Sequence, residues 1–278
     1  MAVIDAQVHC YERNHPGRPW HAVLAGPPEV TGPDMVKAMS DVGVDGALLI
    51  SVYTMYRWDA SYAVSVHKQY PKKFGLIKPV NSNDPNVADT VAEWAAMDGT
   101  VAVRIMMNDE VSTDPDHAGI NAVLKAAAKH DLAVNLLARG RLAQVAKMAA
   151  NNPDTQIVID HLGLEQPFVP PAPKDPWHEL PQLLAIAPHK NIAVKITGSC
   201  TLSHEKFPYK DTWAPVGRIL DAFGLERCMW GTDWTRAVNL LTYKEGVDAF
   251  KVPGRFSDSD REKLMGGNLS KIYGWAPG

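Results

Sequence analysis

Five polar residues stand at or near the C-terminal ends of short apolar runs, and their types suit hydrolytic chemistry. They are Gln7, His9, Arg104, His161 and Asp233. A polar side chain inside an apolar strand is costly unless a partner or a reaction uses it. Imidazoles and a carboxylate can move protons or bind a divalent metal ion, while an amide and a guanidinium can stabilise an oxygen that gains negative charge. These five residues are therefore our candidate catalytic set.

The apolar runs that carry these residues recur along the chain, with helical patterns between them. The predicted strands span residues 2–9, 45–52, 73–80, 100–106, 132–138, 156–162, 191–197 and 227–233. The intervening segments place apolar residues at helical spacing, as Ile120, Val123, Leu124 and Ala127 do. Eight strands, each followed by a helix, are typical of a closed parallel barrel, whereas an open doubly wound sheet usually has fewer strands. We predict an α/β fold, a single (β/α)₈ TIM barrel in which residues 1–278 form one domain.

A barrel of this kind would bring the candidate residues together. The C-terminal ends of its strands meet at one mouth, where barrel active sites lie. His9, His161 and Asp233 end the first, sixth and eighth predicted strands, so they should converge there. Alternation along the first strand predicts that Asp5, Gln7 and His9 face the lumen. Three long segments without periodicity also belong to this face, namely residues 10–32, 163–176 and 198–211.

Composition excludes several classes of partner. A formal net charge of −3, with 46% apolar and 21% charged residues, is ordinary for a globular protein and gives no cationic excess for nucleic acid. No apolar run approaches a membrane span, and the N-terminal MAVIDAQVHC has polar residues where a signal peptide needs apolar ones, so we expect a cytoplasmic protein. The three cysteines have no metal-binding or disulfide spacing, which predicts free thiols.

The order of motifs along the chain resembles a known family. The segments IDAQVH, VRI, IDHLG, VKITG and WGTDW are similar to the amidohydrolase-related branch of the amidohydrolase superfamily, in particular to the 2-pyrone-4,6-dicarboxylate lactonases. The resemblance covers nearly the whole chain. It implies a hydrolase that opens a lactone or similarly activated cyclic ester of a small organic acid by attack of water. Asp233 would be the general base, and His9, His161, Gln7 and Arg104 would donate to the carbonyl oxygen.

One departure from the family concerns a metal ion. The family's first strand typically carries His-x-His, and the matching pair here is Gln7 and His9. An amide carbonyl is a poor ligand for Zn²⁺, and no lysine ends the fifth predicted strand to bridge two ions. If one divalent metal ion such as Zn²⁺ is bound, its ligands would be His9, His161 and Asp233. Catalysis without a metal ion is the favoured expectation.

Substrate-binding residues are expected on the same face. Arg57 and Arg139 follow strands and carry guanidinium groups that suit a carboxylate. Tyr53 and Trp58 can form a wall against a flat ring, and Lys195 is a polar residue within the apolar strand 191–197. We expect a small cyclic organic acid as the substrate, and a homo-oligomer is a further expectation.

Three alternatives use the same residues differently. A zinc-dependent amide or imide hydrolase would require stoichiometric zinc. A nonoxidative decarboxylase of the same superfamily would release carbon dioxide without incorporating water. A noncatalytic binding protein would have no need for a carboxylate and imidazoles at one focus.

Overall fold

A computed structural model describes all residues from 1 to 278 and shows one sheet of eight parallel strands, ordered in space as in the chain. The strands are β1 (Ile4–Val8), β2 (Gly46–Ile50), β3 (Phe74–Pro79), β4 (Thr100–Met106), β5 (Ala133–Leu137), β6 (Ile157–Ile159), β7 (Ile192–Lys195) and β8 (Cys228–Met229). Each strand lies within a predicted run. Hydrogen bonds from Ala6 N to Trp230 O and from Asp233 N to Gln7 O join the segment after β8 to β1. The predicted (β/α)₈ barrel is confirmed.

Helices follow the strands and surround the barrel. They are α1 (Gly32–Asp41), α2 (Tyr53–Tyr56), α3 (Ser61–Gln69), α4 (Val87–Ala95), α5 (Ala118–Lys129), α6 (Leu142–Asn151), α7 (Leu180–Ala185), α8 (Trp213–Phe223), α9 (Trp234–Ala237), α10 (Tyr243–Lys251), α11 (Asp258–Glu262) and α12 (Asn268–Tyr273). Helix α1 begins after Thr31, because Thr31 and Asp34 exchange side-chain and backbone hydrogen bonds in a capping box. None of the helices has the length and apolar content needed to cross a lipid bilayer.

The core forms two apolar layers. The larger layer lies between strands and helices, and the four residues whose spacing predicted α5 are buried in it. The smaller layer combines residues from every strand with Leu269 and Tyr273 of α12, and it fills the lower lumen. The Tyr273 hydroxyl donates to Asn135 Oδ1 at 2.9 Å, where the apolar layer meets a polar one above it. The three cysteines are free and buried, as predicted.

An irregularity in β1 corrects the predicted alternation. Val8 lies three residues after Asp5, whereas their partners on β2 are two residues apart, so β1 contains a bulge. Ile4 and Ala6 therefore join the lumen layer, and Asp5 faces the segment after β8 instead of the lumen. Gln7 remains inside the barrel, as predicted, because the bulge resets the alternation before it.

The strands that carry His161 and Asp233 end earlier than predicted. Strand β6 ends at Ile159 and β8 at Met229. His161 and Asp233 then adopt left-handed backbone conformations, with φ values of 54° and 52°. This conformation is uncommon for residues other than glycine and is often found at functional sites. It directs both side chains toward the mouth of the barrel.

Candidate active site

A cavity of about 450 Å³ lies at the C-terminal ends of the strands. His9, Arg104, His161 and Asp233 line it, so the predicted convergence of these four side chains is observed. Gln7 lies beneath them and is fully buried, with its Nε2 3.4 Å from His9 Nε2. The cavity is large enough for a small organic molecule.

Two of the three long segments contribute to the cavity wall. Leu24 comes from the segment 10–32, and Leu164, Gln166 and Phe168 come from the segment 163–176. No residue of the segment 198–211 lines the cavity. The wall therefore combines apolar side chains with a few polar groups, as small-molecule sites usually do.

His9 and Asp233 present two hydrogen-bond acceptors to the cavity. His9 Nδ1 lies 2.7 Å from Ile50 O, and because a carbonyl oxygen only accepts, Nδ1 carries the proton. The Nε2 atom, which lies 3.4 Å from Gln7 Nε2, then carries a lone pair. Asp233 Oδ1 is buried without a hydrogen-bond partner and lies 3.3 Å from His9 Nε2. In this tautomer both atoms can accept from one water molecule, and the donor role that we predicted for His9 stays a prediction.

Asp5 fixes the turn that carries Asp233. Its Oδ1 accepts from Gln7 N at 3.0 Å and from Thr232 N at 2.9 Å, and its Oδ2 accepts from the Thr232 hydroxyl at 2.6 Å. Burial raises the pKa of Asp5 to about 6, although the bonds from Thr232 and Gln7 oppose this shift. Asp5 therefore connects β1 to the residue that precedes Asp233.

Charged neighbours set the protonation of Asp233 and His161. Burial acts to raise the pKa of Asp233, but the Arg236 guanidinium, whose Nε donates to Oδ2 at 2.5 Å, holds it well below its usual range. Burial lowers the pKa of His161 to about 4, against the charges of Asp233 and Asp160. Asp233 is therefore ionised and His161 neutral at neutral pH. His161 Nδ1 contacts the Thr197 hydroxyl at 3.1 Å.

A buried polar layer lies under the cavity, and Asp160 is its centre. Arg104 Nε donates to Asp160 Oδ2 at 2.7 Å, while Lys195 Nζ and Asn135 Nδ2 lie 3.1 and 3.0 Å from Oδ1. Burial acts to raise the pKa of Asp160, but the charges of Lys195 and Arg104 hold it at about 2. Arg104 thus has a permanent partner and still reaches the cavity with its other N–H groups.

Lys195 does not reach the cavity. Its side chain is fully buried, and Nζ donates to Gln7 Oε1 at 3.0 Å as well as contacting Asp160. Our prediction that Lys195 binds substrate is therefore wrong. Strand alternation placed it correctly inside the barrel, but it gave no measure of how deep the residue lies.

The other predicted substrate residues divide into two pairs. Tyr53 and Arg139 line the cavity, whereas Arg57 and Trp58 do not. Arg57 Nη1 donates to Glu110 Oε2 at 2.7 Å, and the Trp58 ring packs edge-on against Tyr53 with 4.9 Å between centroids. Arg57 and Trp58 therefore support Tyr53 from behind, and the structure does not place them against a molecule in the cavity.

Sequence reasoning missed four residues of the site, namely Arg236, Asp160, Arg141 and Gln166. Signals for three of them were present. Arg236 follows Asp233 at the i,i+3 spacing of helical ion pairs, Asp160 directly precedes His161, and Arg141 follows Arg139 by two residues. Nothing in the proline-rich segment 163–176 distinguishes Gln166.

As arranged, the candidate ligands do not fit a metal ion. Gln7 Oε1 and Asp233 Oδ2 already accept from cationic side chains, and His161 Nδ1 contacts Thr197. His9 Nε2 lies 3.4 Å from Gln7 Nε2 and His161 Nε2 lies 3.5 Å from Arg104 Nη2, whereas Asp233 Oδ1 has no hydrogen-bond partner. No group of three histidine, cysteine or acidic side chains has the geometry to hold an ion.

Comparison with known proteins assigns the family. The Amidohydrolase family model matches residues 4–275, nearly the whole chain. The chain belongs to this amidohydrolase family. Two curated relatives are L-fucono-1,5-lactonases, which confirms the resemblance to a lactonase-like branch of the amidohydrolases.

The extent of these similarities differs. The Burkholderia ambifaria lactonase is 30% identical over 137 residues, which are 48% of this chain and 45% of the relative. The Burkholderia multivorans lactonase is 27% identical over 209 residues, 68% of this chain and 67% of the relative. The first match therefore spans less than half of that lactonase. A crystal structure of an amidohydrolase from Burkholderia multivorans with bound zinc has a TM-score of 0.80 at 19% identity, covers 99% of both chains and shows the same fold.

Proposed function

We propose that this amidohydrolase hydrolyses a lactone, or a similarly activated cyclic ester, of a small organic acid by direct attack of water. The observation that carries the proposal is that Asp233 Oδ1, a buried carboxylate oxygen without a hydrogen-bond partner, lies 3.3 Å from His9 Nε2 at the cavity. Such a pair can orient one water molecule and accept its proton. The two relatives named as lactonases support the same reaction class.

The reaction assigns separate tasks to Asp233, His9 and Arg104. Asp233 Oδ1 accepts a proton from the water while the water oxygen attacks the acyl carbon, and His9 Nε2 holds the same water. The N–H groups of Arg104 that face the cavity stabilise the carbonyl oxygen as it gains negative charge, a contribution of about 3–4 kcal/mol for a well-placed donor. The acyl–oxygen bond of the ring then breaks, and the ring oxygen leaves with the proton from Asp233. The product is an open hydroxy acid.

Cationic side chains on the cavity wall support an acidic substrate. Arg139 and Arg141 line the cavity beside Arg104. Their present partners are exposed carboxylates, since Arg139 contacts Glu165 at 3.0 Å and Arg141 contacts Asp109 at 3.0 Å. Exposed pairs of this kind contribute little and exchange readily for a substrate carboxylate. We therefore propose a lactone that carries a carboxylate.

Removing these guanidinium groups should discriminate between substrates. We expect Arg141→Met and Arg139→Met each to raise KM for a carboxylated lactone by about 10-fold or more, the worth of a charged hydrogen bond. KM for a neutral aldonolactone should change little. Arg57→Met is the matched control, because Arg57 pairs with Glu110 outside the cavity. Equal effects on charged and neutral lactones, or an equal effect of the control, would contradict the proposed anchor.

A substrate panel tests the reaction class directly. Neutral aldonolactones, carboxylated pyrones and muconolactones, their matched amides and aromatic carboxylates would be incubated with the protein in chelator-treated buffer, with and without added Zn²⁺. Acid release and product structure would be followed by pH titration and NMR. We expect ring opening of lactones without added zinc. Amide cleavage that requires zinc, or carbon dioxide release, would replace the proposal with one of the two alternatives.

A further inference from the structure

Arg236 is a buried cation whose donors are held on three sides. Its Nε donates to Asp233 Oδ2 at 2.5 Å, its Nη2 donates to Gln166 Oε1 at 2.8 Å, and its Nη1 donates to Pro167 O. The Phe168 ring lies 5.5 Å from the guanidinium carbon. The side chain is 8% exposed, so the guanidinium cannot move to another partner without breaking these contacts.

The residue that holds Arg236 is itself fixed. Gln166 Nε2 donates to Thr197 O at 2.8 Å and lies 3.3 Å from His161 O. Gly198 makes room for this arrangement, because a Cβ atom there would lie 2.1 Å from Gln166 Oε1 and 2.7 Å from Arg236 Nη2. The orientation of the guanidinium therefore follows from the backbone at the ends of β6 and β7.

Arg236 is not needed to attach the segment 163–176 to the barrel. The side-chain amide of Gln166 already does so by hydrogen bonding to the backbone carbonyls of Thr197 and His161. The additional feature of Arg236 is that it occupies one oxygen of Asp233 and leaves the other facing His9 Nε2. It also places a positive charge beside a carboxylate that is 1% exposed.

We infer that Arg236 is a positioning residue for the proposed hydrolysis, on which this inference rests: its guanidinium fixes the orientation of Asp233 and supplies the positive charge that a metal ion would otherwise bring to this carboxylate. Two consequences follow. Loss of the guanidinium should lower the turnover number more than it alters substrate binding. It should also free Asp233 Oδ2 and remove a like charge, so that Zn²⁺ binds more tightly.

The test compares Arg236→Met with Arg236→Lys and with the matched control Arg227→Met. Arg227 donates to the carbonyl oxygens of Ala187, His189 and Ile192 and does not line the cavity. Steady-state kinetics on a lactone would give kcat and KM, and competition with a chromophoric chelator would give the affinity for Zn²⁺. Circular dichroism would report folding, and Arg236→Gln would replace Arg236→Met if the latter does not fold.

We expect Arg236→Met to lower kcat by about 10-fold or more with KM nearly unchanged. It should raise the affinity for Zn²⁺ by about 10-fold or more, which is the size of effect that residues beside a metal site have on metal affinity. Arg236→Lys should restore part of kcat and bind zinc as weakly as the wild type. Arg227→Met should lose stability only.

The inference is overturned if Arg236→Met reduces stability but leaves both kcat per folded molecule and the zinc affinity unchanged. A wild-type protein that opens no lactone would refute the proposed hydrolysis. The zinc measurement would still test Arg236 in that case, because it does not depend on turnover.

Discussion

Asp233→Asn should lower kcat/KM for lactone opening by about 100-fold or more while leaving the fold intact, which is the typical worth of a general base. The substitution has two effects on the atoms that hold the attacking water. It removes the negative acceptor Oδ1, and it allows an amide N–H to donate to His9 Nε2, which lies 3.3 Å away. Both acceptors for the attacking water are then lost, while the bond from Arg236 to the other oxygen is retained.

Asp109→Asn is the matched control for this experiment. Asp109 lines the same cavity and pairs with Arg141, but its side chain is 93% exposed. We expect its kcat to stay within a few-fold of the wild type. Near wild-type turnover in Asp233→Asn, or an equal loss in both variants, would show that Asp233 Oδ1 does not accept the proton.

Asp160→Asn should cost about 3–5 kcal/mol of unfolding free energy, because it leaves Arg104 and Lys195 as uncompensated buried charges. Both cations contact Asp160, and all three side chains are at least 95% buried. Urea unfolding at neutral pH would measure the loss. Asp248→Asn is the control, since its exposed pair with Lys244 on α10 should contribute at most about 0.5 kcal/mol.

The pH dependence of the Asp160 effect provides a second check. The pKa of Asp160 is held at about 2, below the value of about 4 for an unfolded aspartate. A carboxyl group whose pKa is lowered by folding stabilises the protein above its unfolded pKa, and this contribution is lost as the pH falls through the folded pKa. The difference in stability between wild type and Asp160→Asn should therefore narrow between pH 4 and pH 2. A constant difference would assign the effect to packing.

The sequence predicted the barrel and the convergence of His9, His161 and Asp233 because both follow from local patterns. Strand runs and helical spacing are properties of neighbouring residues, and a parallel barrel brings strand ends together whatever its loops contain. Arg104 and Gln7 were found for the same reason, since each is a polar residue in an apolar strand.

The remaining details depend on contacts between distant segments. The bulge that turns Asp5 out of the lumen is set by the pairing of β1 with β2. Asp160 pairs with Arg104 at the point where the chain turns after β6 and His161 adopts a left-handed backbone conformation. No local sequence propensity indicates this turn. Arg57 and Trp58 lie behind Tyr53 because Glu110, from the loop after β4, binds Arg57. Spacing alone also could not show that Lys195 bonds to Gln7, since β1 and β7 are far apart in the chain.

The distribution of charge around the cavity gives the account its physical basis. Carboxylates at Asp160 and Asp233 are each paired with an arginine, and two of the ligand atoms that a zinc site would need, Gln7 Oε1 and Asp233 Oδ2, are used by hydrogen bonds within the protein. The groups that remain available are Asp233 Oδ1 and the N–H groups of Arg104 that face the cavity. They match a reaction that needs one oriented water molecule and one hydrogen-bond donor to an oxyanion. An activated cyclic ester makes smaller demands on electrophilic assistance than an amide does.

The most direct test of the central claim is the fate of water oxygen during a single turnover in H₂¹⁸O. The best substrate of the lactone panel would be opened with excess protein, and the product would be analysed by mass spectrometry. Attack of water held by His9 and Asp233 on the acyl carbon places one ¹⁸O atom in the new carboxylate and none in the hydroxyl group. Label in the hydroxyl group, or a product that has lost carbon dioxide, would contradict the account.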